Sequence, residues 1–346
     1  MDSSEMQPAP VAEPVRSKPG KASAKHFWYG IGIFAVVVVV IGLGIGLYSV
    51  YGRLSTKPAV VTFARVLRLP IAKVDGQTIL YSEFATDRQA MTLVNQYDKA
   101  NNGPTAALTA EQQTDQVLWR LMNNRLVAAA AAKYNIKLDQ TQVTQIHDEI
   151  LKKFATPADA DKELATRYGW DMDTYTSKVI TQYVIQNQLV DAVSQDEGWR
   201  AIVKEHATSV LAKLKAGGDF ATLAQQYSED TDTGSQGGAL DWFSVGQGKM
   251  VPQFEQAAQN LKKGEYTTEL VESPYGFDII KLEDTRTTKE KDPATGKEVD
   301  AKQIKTAHIV FAYANLSTYL DYLASKANVH VYGKANNPFA VRPVAQ

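Results

Sequence analysis

The segment YGFDIIKL, residues 275–282, reads as a buried strand with one residue out of place. Side chains alternate along a strand, so Phe277 and Ile279 point one way and Asp278, Ile280 and Leu282 the other. The face of Ile280 and Leu282 is apolar except for this single carboxylate. Burying an unpaired carboxylate is expensive, so Asp278 either has a partner or lines a wet pocket. Other chemistries are scarce. The chain has no cysteine, which removes disulfides, thiolate metal sites, a thiol nucleophile and a lipid-modified N-terminal cysteine. Its five histidines are scattered without a pair at ligand spacing, so no metal or other cofactor is called for.

The elements that must position Asp278 belong to a long chain. Its 346 residues allow two or more domains, and 44% apolar with 22% charged residues is ordinary for folded protein. A net charge of −1 offers no basic surface for nucleic acid. Residues 1–25 are rich in Pro, Ser and Ala and read as a disordered tail. Residues 31–50 then carry no charge for 20 positions, the thickness of a bilayer core, within a span set at 26–52. Trp28 and Tyr29 before it, and Tyr48 and Tyr51 at its far end, resemble interfacial belts. The competing reading is a cleaved signal peptide. The stretch is too long for one and no A-x-A-like site follows, which favours a retained anchor. Arg16, Lys18, Lys21 and Lys25 precede the span and Arg53, Lys57, Arg65 and Arg68 follow it, so charge leaves its orientation open. Gly42 and Gly46 have the spacing of a helix-pairing motif, which chance explains as well.

After a linker, 53–69, Asp75-Gly76 marks a two-residue hairpin. Helices follow, opened by Thr109 with Gln112, by Asp139 with Gln142, by Thr156-Pro157, by Asp171 and by Asp196. From Gly217 the chain becomes glycine-punctuated: a short helix (FATLAQQY), a loop with Gly237-Gly238, a second short helix stopped at Gly264, and two strands turning at Pro274-Tyr275-Gly276. A charged hairpin loop, 287–303, turns around Pro293-Ala294-Thr295-Gly296. The strand IKTAHIVF, the helix LSTYLDYLASKA and the strand NVHVY close the chain before a disordered tail, 334–346.

The ordered series FATLAQQYSED, GGALDWF, GKMVPQFEQAAQNLKKGEY and YGFDIIKLED resembles a parvulin-type peptidyl-prolyl isomerase domain over about 70 residues. The hairpin VDGQTIL with LWRLMNNRLVAAAAAKYNIKLD resembles the N-terminal chaperone domain of SurA, PpiD and PrsA proteins, and LSTYLDYLASKANVHVY resembles their return segment. The resemblance implies an α+β fold. It comprises an N-terminal transmembrane helix, a mostly helical chaperone domain (70–200) completed at 313–333, and an inserted parvulin-like domain (201–312) with a small antiparallel sheet. It further implies a cytoplasmic N-terminus, an extracytoplasmic bulk, and unfolded exported polypeptides with proline-containing segments as partners.

Residue by residue, Asp230 matches the family's cysteine or aspartate. Leu240, Met250 and Phe254 match the residues gripping the proline ring, and Ser273 lies near a pocket hydroxyl. Asp278 replaces one of two core histidines. The strand that bears the other is absent before GGDFATLA, and IKTAHIVF can supply it from the far end (304–311), with His308 in the histidine's place. The alternative is an ordinary strand with a satisfied core histidine. Two functions follow: an anchored isomerase and chaperone, or a holdase whose parvulin domain only binds peptide.

Overall fold

A computed structural model describes residues 22–291 and 296–341. Residues 1–21 of the expected leading tail, the turn residues 293–295 and the last five residues lie outside them. The described chain begins with α1 (Ala22–Leu47), which runs through a π-helical turn (Tyr48–Gly52) into α2 (Pro58–Val66). The expected linker is therefore helical. Its Val61 and Ala64 are buried, which a short amphipathic segment behind a proline conceals in sequence. Gly46 is committed inside the chain, since a Cβ there would meet the Phe63 ring at 2.5–2.9 Å.

Strands β1 (Pro70–Val74) and β2 (Gln77–Leu80) form the hairpin. Asp75 and Gly76 both take positive φ, the backbone that a type I′ turn requires and that matches strand twist. Five helices follow: α3 (Tyr81–Asn101), α4 (Ala110–Lys133), α5 (Gln140–Leu151), α6 (Pro157–Tyr168) and the single turn α7 (Met172–Tyr175). The Thr109–Gln112 capping box opens α4, with side chain and backbone bonded reciprocally. Asp139, Thr156 and Asp171 each accept from the first-turn N–H groups of α5, α6 and α7. A π-helical turn (Thr176–Ile180) leads into α8 (Thr181–Ser194). Buried Asp87 on α3 joins these elements through Arg120 on α4 at 2.8 Å and Lys178 of the π turn at 2.7 Å.

Asp196 caps α9 (Glu197–Lys215), which leads to α10 (Phe220–Tyr227), the turn α11 (Thr231–Gly234), the short strand β3 (Phe243–Ser244) and α12 (Pro252–Gln259). The expected loop thus contains a helical turn and a strand, and α12 stops at Gln259, short of Gly264. Strands β4 (Val271–Ser273), β5 (Gly276–Lys291) and β6 (Glu298–Ala312) complete an antiparallel sheet in the order β3-β6-β5-β4. The 287–303 loop is mostly strand: β5 and β6 continue their pairing to Lys291 and Glu298, past a bulge between Leu282 and Asp284. Helix α13 (Leu316–Lys326) leads to β7 (Val329–Val331), which pairs with β1 to make a three-stranded sheet in the order β2-β1-β7. Residues 334–341, expected as tail, end in α14 (Pro338–Val341), with Phe339 against the core and Asn336 bonded to Glu111 on α4.

The fold is α+β, and its two sheets are linked by one continuous core. Val117, Leu118, Leu121 and Met122 on α4 pack with Trp199, Val203 and Leu211 on α9 and with Phe277, Ile279, Ile309 and Phe311 from one face of the larger sheet. Burial of each such side chain contributes about 1.5–3 kcal/mol. Trp199 closes the joint, donating from Nε1 to the carbonyl of Tyr313 at 2.9 Å and meeting Tyr319 edge-on.

Candidate active site

The opposite face of the larger sheet is where a polar group enters apolar surroundings. Cross-strand pairing sets Ile280 beside His308 and Asp278 beside Val310, so Asp278 and His308 are diagonal neighbours on one face. Their side chains meet: Nδ1 of His308 lies 3.0 Å from Oδ1 of Asp278. The other ring nitrogen, Nε2, lies 3.0 Å from Oδ2 of Asp230. The histidine is only 12% exposed and bridges two carboxylates brought from positions 78 and 30 residues away. An ionised carboxylate can only accept, so with both carboxylates ionised the ring that satisfies the two contacts is an imidazolium donating from both nitrogens.

Burial on its own would lower the His308 pKa, but the bonds and charges of Asp278 and Asp230 outweigh it and raise the value above 6.5. Burial likewise would raise Asp230. Bonds from the Thr233 hydroxyl, His308 and the backbone of Thr233 and Asp232 hold it below its ordinary range instead. Asp230 is placed by local geometry. It is the N-cap of α11, with Oδ1 accepting from Asp232 N–H at 3.0 Å and Thr233 N–H at 3.3 Å, and Oδ2 accepting from the Thr233 hydroxyl at 2.6 Å. Thr233 also lies 3.4 Å from Nε2 of His308. Sequence reasoning passed over Thr233; the Asp-x-x-Thr spacing of a capped turn is the signal that points to it.

The segment around Asp230 is strapped to β6. The Glu229 N–H donates to Val310 O at 2.9 Å, and the Val310 N–H donates to the Ser228 hydroxyl at 3.2 Å. The Glu229 carboxylate accepts from Ala312 N–H and from the Thr318 hydroxyl on α13, both at 2.8 Å. On the other side Gly238 meets β6 backbone to backbone, its carbonyl accepting from His308 N–H at 2.9 Å. Gly238 has φ +78°, and a Cβ there would strike the carbonyl of His308, so only glycine fits.

Beside His308 lies an apolar cluster formed by Phe243, Phe254, Ala258, Ile280, Leu282 and Ile304, with Leu240 and Met250 packed partly buried against it. Phe254 presents its ring edge-on to the imidazole at 5.8 Å between centroids. Thr306, two residues before His308 and facing the same way, is fully buried and its hydroxyl has no partner. Ser273 stands apart from this constellation. Its hydroxyl accepts from Tyr275 N–H at 3.2 Å and donates to Gly276 O at 3.3 Å, which holds the β4–β5 turn. Among the described residues no three or more His, Asp or Glu side chains are grouped to hold a metal ion. The arrangement therefore offers a desolvated charge network at the edge of an apolar surface.

Comparison with known proteins finds a family match in each half of the chain. A family model described as the PPIC-type PPIASE domain matches residues 189–284, and one described as the SurA-like N-terminal domain matches residues 21–157. The foldase protein PrsA of Geobacillus kaustophilus is 30% identical over 219 residues, covering 61% of this chain and 68% of its own length. Foldase protein PrsA 1 of Bacillus cereus is 31% identical over 212 residues, covering 58% and 73%. The PrsA of Pediococcus pentosaceus is 29% identical over 203 residues, covering 54% and 63%. The isomerase match stops inside β5, and His308 lies beyond it. With a parvulin-type isomerase domain beside a SurA-like domain, the chain belongs to the SurA/PrsA kind of foldase and is a peptidyl-prolyl isomerase.

Proposed function

We propose that this foldase is anchored by α1 with the bulk of the chain outside the cytoplasm, binds unfolded exported polypeptides, and isomerises their X-Pro bonds at the His308 network. Asp230, Asp278 and His308 form the polar centre. Leu240, Met250 and Phe254 form the slot for the proline ring. The domain division that goes with this assigns 70–200 and 313–333 to client holding and 201–312 to isomerisation. The observation that carries the proposal is the imidazole held at 3.0 Å by a carboxylate on each side, next to Phe254.

Isomerisation breaks no covalent bond. The barrier of about 18–20 kcal/mol comes from the partial double bond, whose planar form places negative charge on oxygen and positive charge on nitrogen. Two carboxylates and one imidazolium leave a net negative charge at the slot. Set beside the substrate carbonyl oxygen, that charge disfavours the planar charge-separated form relative to the twisted amide, which is the differential that catalysis requires. Water exclusion by the apolar cluster strengthens the effect. His308 holds the two carboxylates close together, which their mutual repulsion otherwise prevents.

For anchoring, the support is the one apolar helical stretch among the described residues long enough to cross a bilayer, Phe34–Gly52, with Phe34, Val36, Val40 and Ile45 more than 60% exposed. For client holding, a cavity of about 510 Å³ between α9 and α13, lined by Trp199, Ile202, Val203 and Tyr322 among others, offers apolar surface next to the isomerase domain. The test is cis–trans exchange of a proline peptide, together with suppression of aggregation of an unfolded client. Catalysis that depends on His308 supports the site. Suppression without catalysis rejects the assignment of these residues.

A further inference from the structure

The inference concerns α2 and rests on the reading of α1 as a membrane span. Gly46 lies six residues before Gly52, the end of the apolar stretch, which is about 9 Å along a helix axis. Phe63 of α2 packs on Gly46, so α2 lies beside the final turns of the span rather than beyond them. The end of the span is itself fixed to the rest of the chain through Tyr51 in the π-helical turn. The carbonyl of Tyr51 accepts from Lys334 N–H at 3.0 Å, and its hydroxyl donates to Pro70 O at 3.0 Å. Val61 and Ala64 are buried against the domain. The chain therefore leaves the span without a slack tether, and α2 is held at the level where apolar core gives way to lipid headgroups.

What α2 exposes fits that level. Val66 is 74% and Leu67 44% exposed, side by side at its C-terminal end, where an apolar pair facing water gains nothing. Arg65 and Arg68 flank them and are exposed, as are Arg53 and Lys57. No aspartate or glutamate occurs from Tyr48 to Val74. Apolar side chains sitting among cations without a single anion match the headgroup boundary of an anionic leaflet. We propose that α2 is an interfacial helix that docks on acidic phospholipid, with Val66 and Leu67 inserted and Arg65 and Arg68 on the headgroups, so that the folding domain is held at a fixed attitude to the membrane.

Because the chain has no cysteine, single labels can be placed without altering other sites. Full-length Val66→Cys, Val38→Cys and Lys215→Cys proteins, each carrying a polarity-sensitive fluorophore, are reconstituted in phosphatidylcholine vesicles with or without phosphatidylglycerol. Quenching is read from lipids spin-labelled near the headgroup or deep in the acyl chain. The expected pattern is deep quenching at Val38, shallow quenching at Val66 and none at Lys215. Omitting phosphatidylglycerol, or introducing Arg65→Gln with Arg68→Gln, should lower the Val66 signal by at least about twofold. Deep quenching at Val38 with none at Val66 overturns the proposal while leaving the span intact. A blue-shifted but unquenched Val66 also overturns it, since protein, such as a second copy, then covers the site. Quenching at Val66 that ignores both lipid charge and the arginines overturns the assignment to acidic lipid. Absence of deep quenching at Val38 removes the span itself.

Discussion

Nδ1 of His308 is 3.0 Å from Asp278 and Nε2 of the same ring is 3.0 Å from Asp230, so one imidazole is held between two carboxylates, and the three groups come from separate parts of the chain. Asp278 comes from β5, His308 from β6 and Asp230 from the cap of α11. Stability of the site and its charge are therefore one property.

The first consequence is a pH dependence. The His308 pKa is raised on folding, so its contribution to stability is fully present below about 6.5 and is lost as pH rises through the raised value. Asp230 is lowered and acts at the other end: its contribution is present above about 3.8 and is lost as pH falls through the depressed value. Thermal melts should show stability falling on the alkaline side in the native protein, and that alkaline slope should be missing in His308→Gln. Replacing Asp278 with Asn removes the charge of one of the two carboxylates that oppose burial and should move the His308 titration downward in a proton NMR experiment.

Thr306→Val should stabilise the protein by about 1 kcal/mol, because it removes a fully buried hydroxyl that has no partner while keeping its shape. Chemical denaturation reads the effect. A variant that is less stable than the native protein contradicts the account of this face as apolar packing around one charge network.

Gly238→Ala should cost at least about 1 kcal/mol, since it combines a positive φ with a collision against the carbonyl of His308. The same change at Gly246, which also has positive φ but meets no atom, should cost less and leave isomerase activity intact. Equal losses at both positions would show that the close approach to β6 is not what Gly238 provides.

How much of this could be read from sequence depended on how local each signal was. The Asp75-Gly76 hairpin and the caps Thr109, Asp139, Thr156 and Asp171 are decided by neighbours a few residues away, and all form as the residues direct. Asp278 announced itself as a carboxylate in an apolar strand, and its partner at His308 followed from a strand absent upstream and present downstream. Thr233 was missed because its role arises only when Asp230 caps a turn beneath β6. The length of the β5–β6 ribbon was hidden by its composition. Thr287, Lys289 and Lys302 pair across strands, yet polar residues on both faces leave no alternation to read. Phe339 lies in a short segment with no helical or strand periodicity, and only the surface of the core shows where it goes.

The most direct measurement is cis–trans exchange of a proline peptide by the full-length protein in detergent, compared with His308→Ala and His308→Gln. Loss of the imidazole leaves the nearly buried Asp278 without its cation and should destabilise the Ala variant by about 3 kcal/mol, so folding of both variants is checked first. The expected result is catalysis by the native chain and a loss of at least about tenfold in both folded variants, with binding of an unfolded client retained. Native-level catalysis in a folded His308→Gln protein would contradict the assignment of the active site to this network.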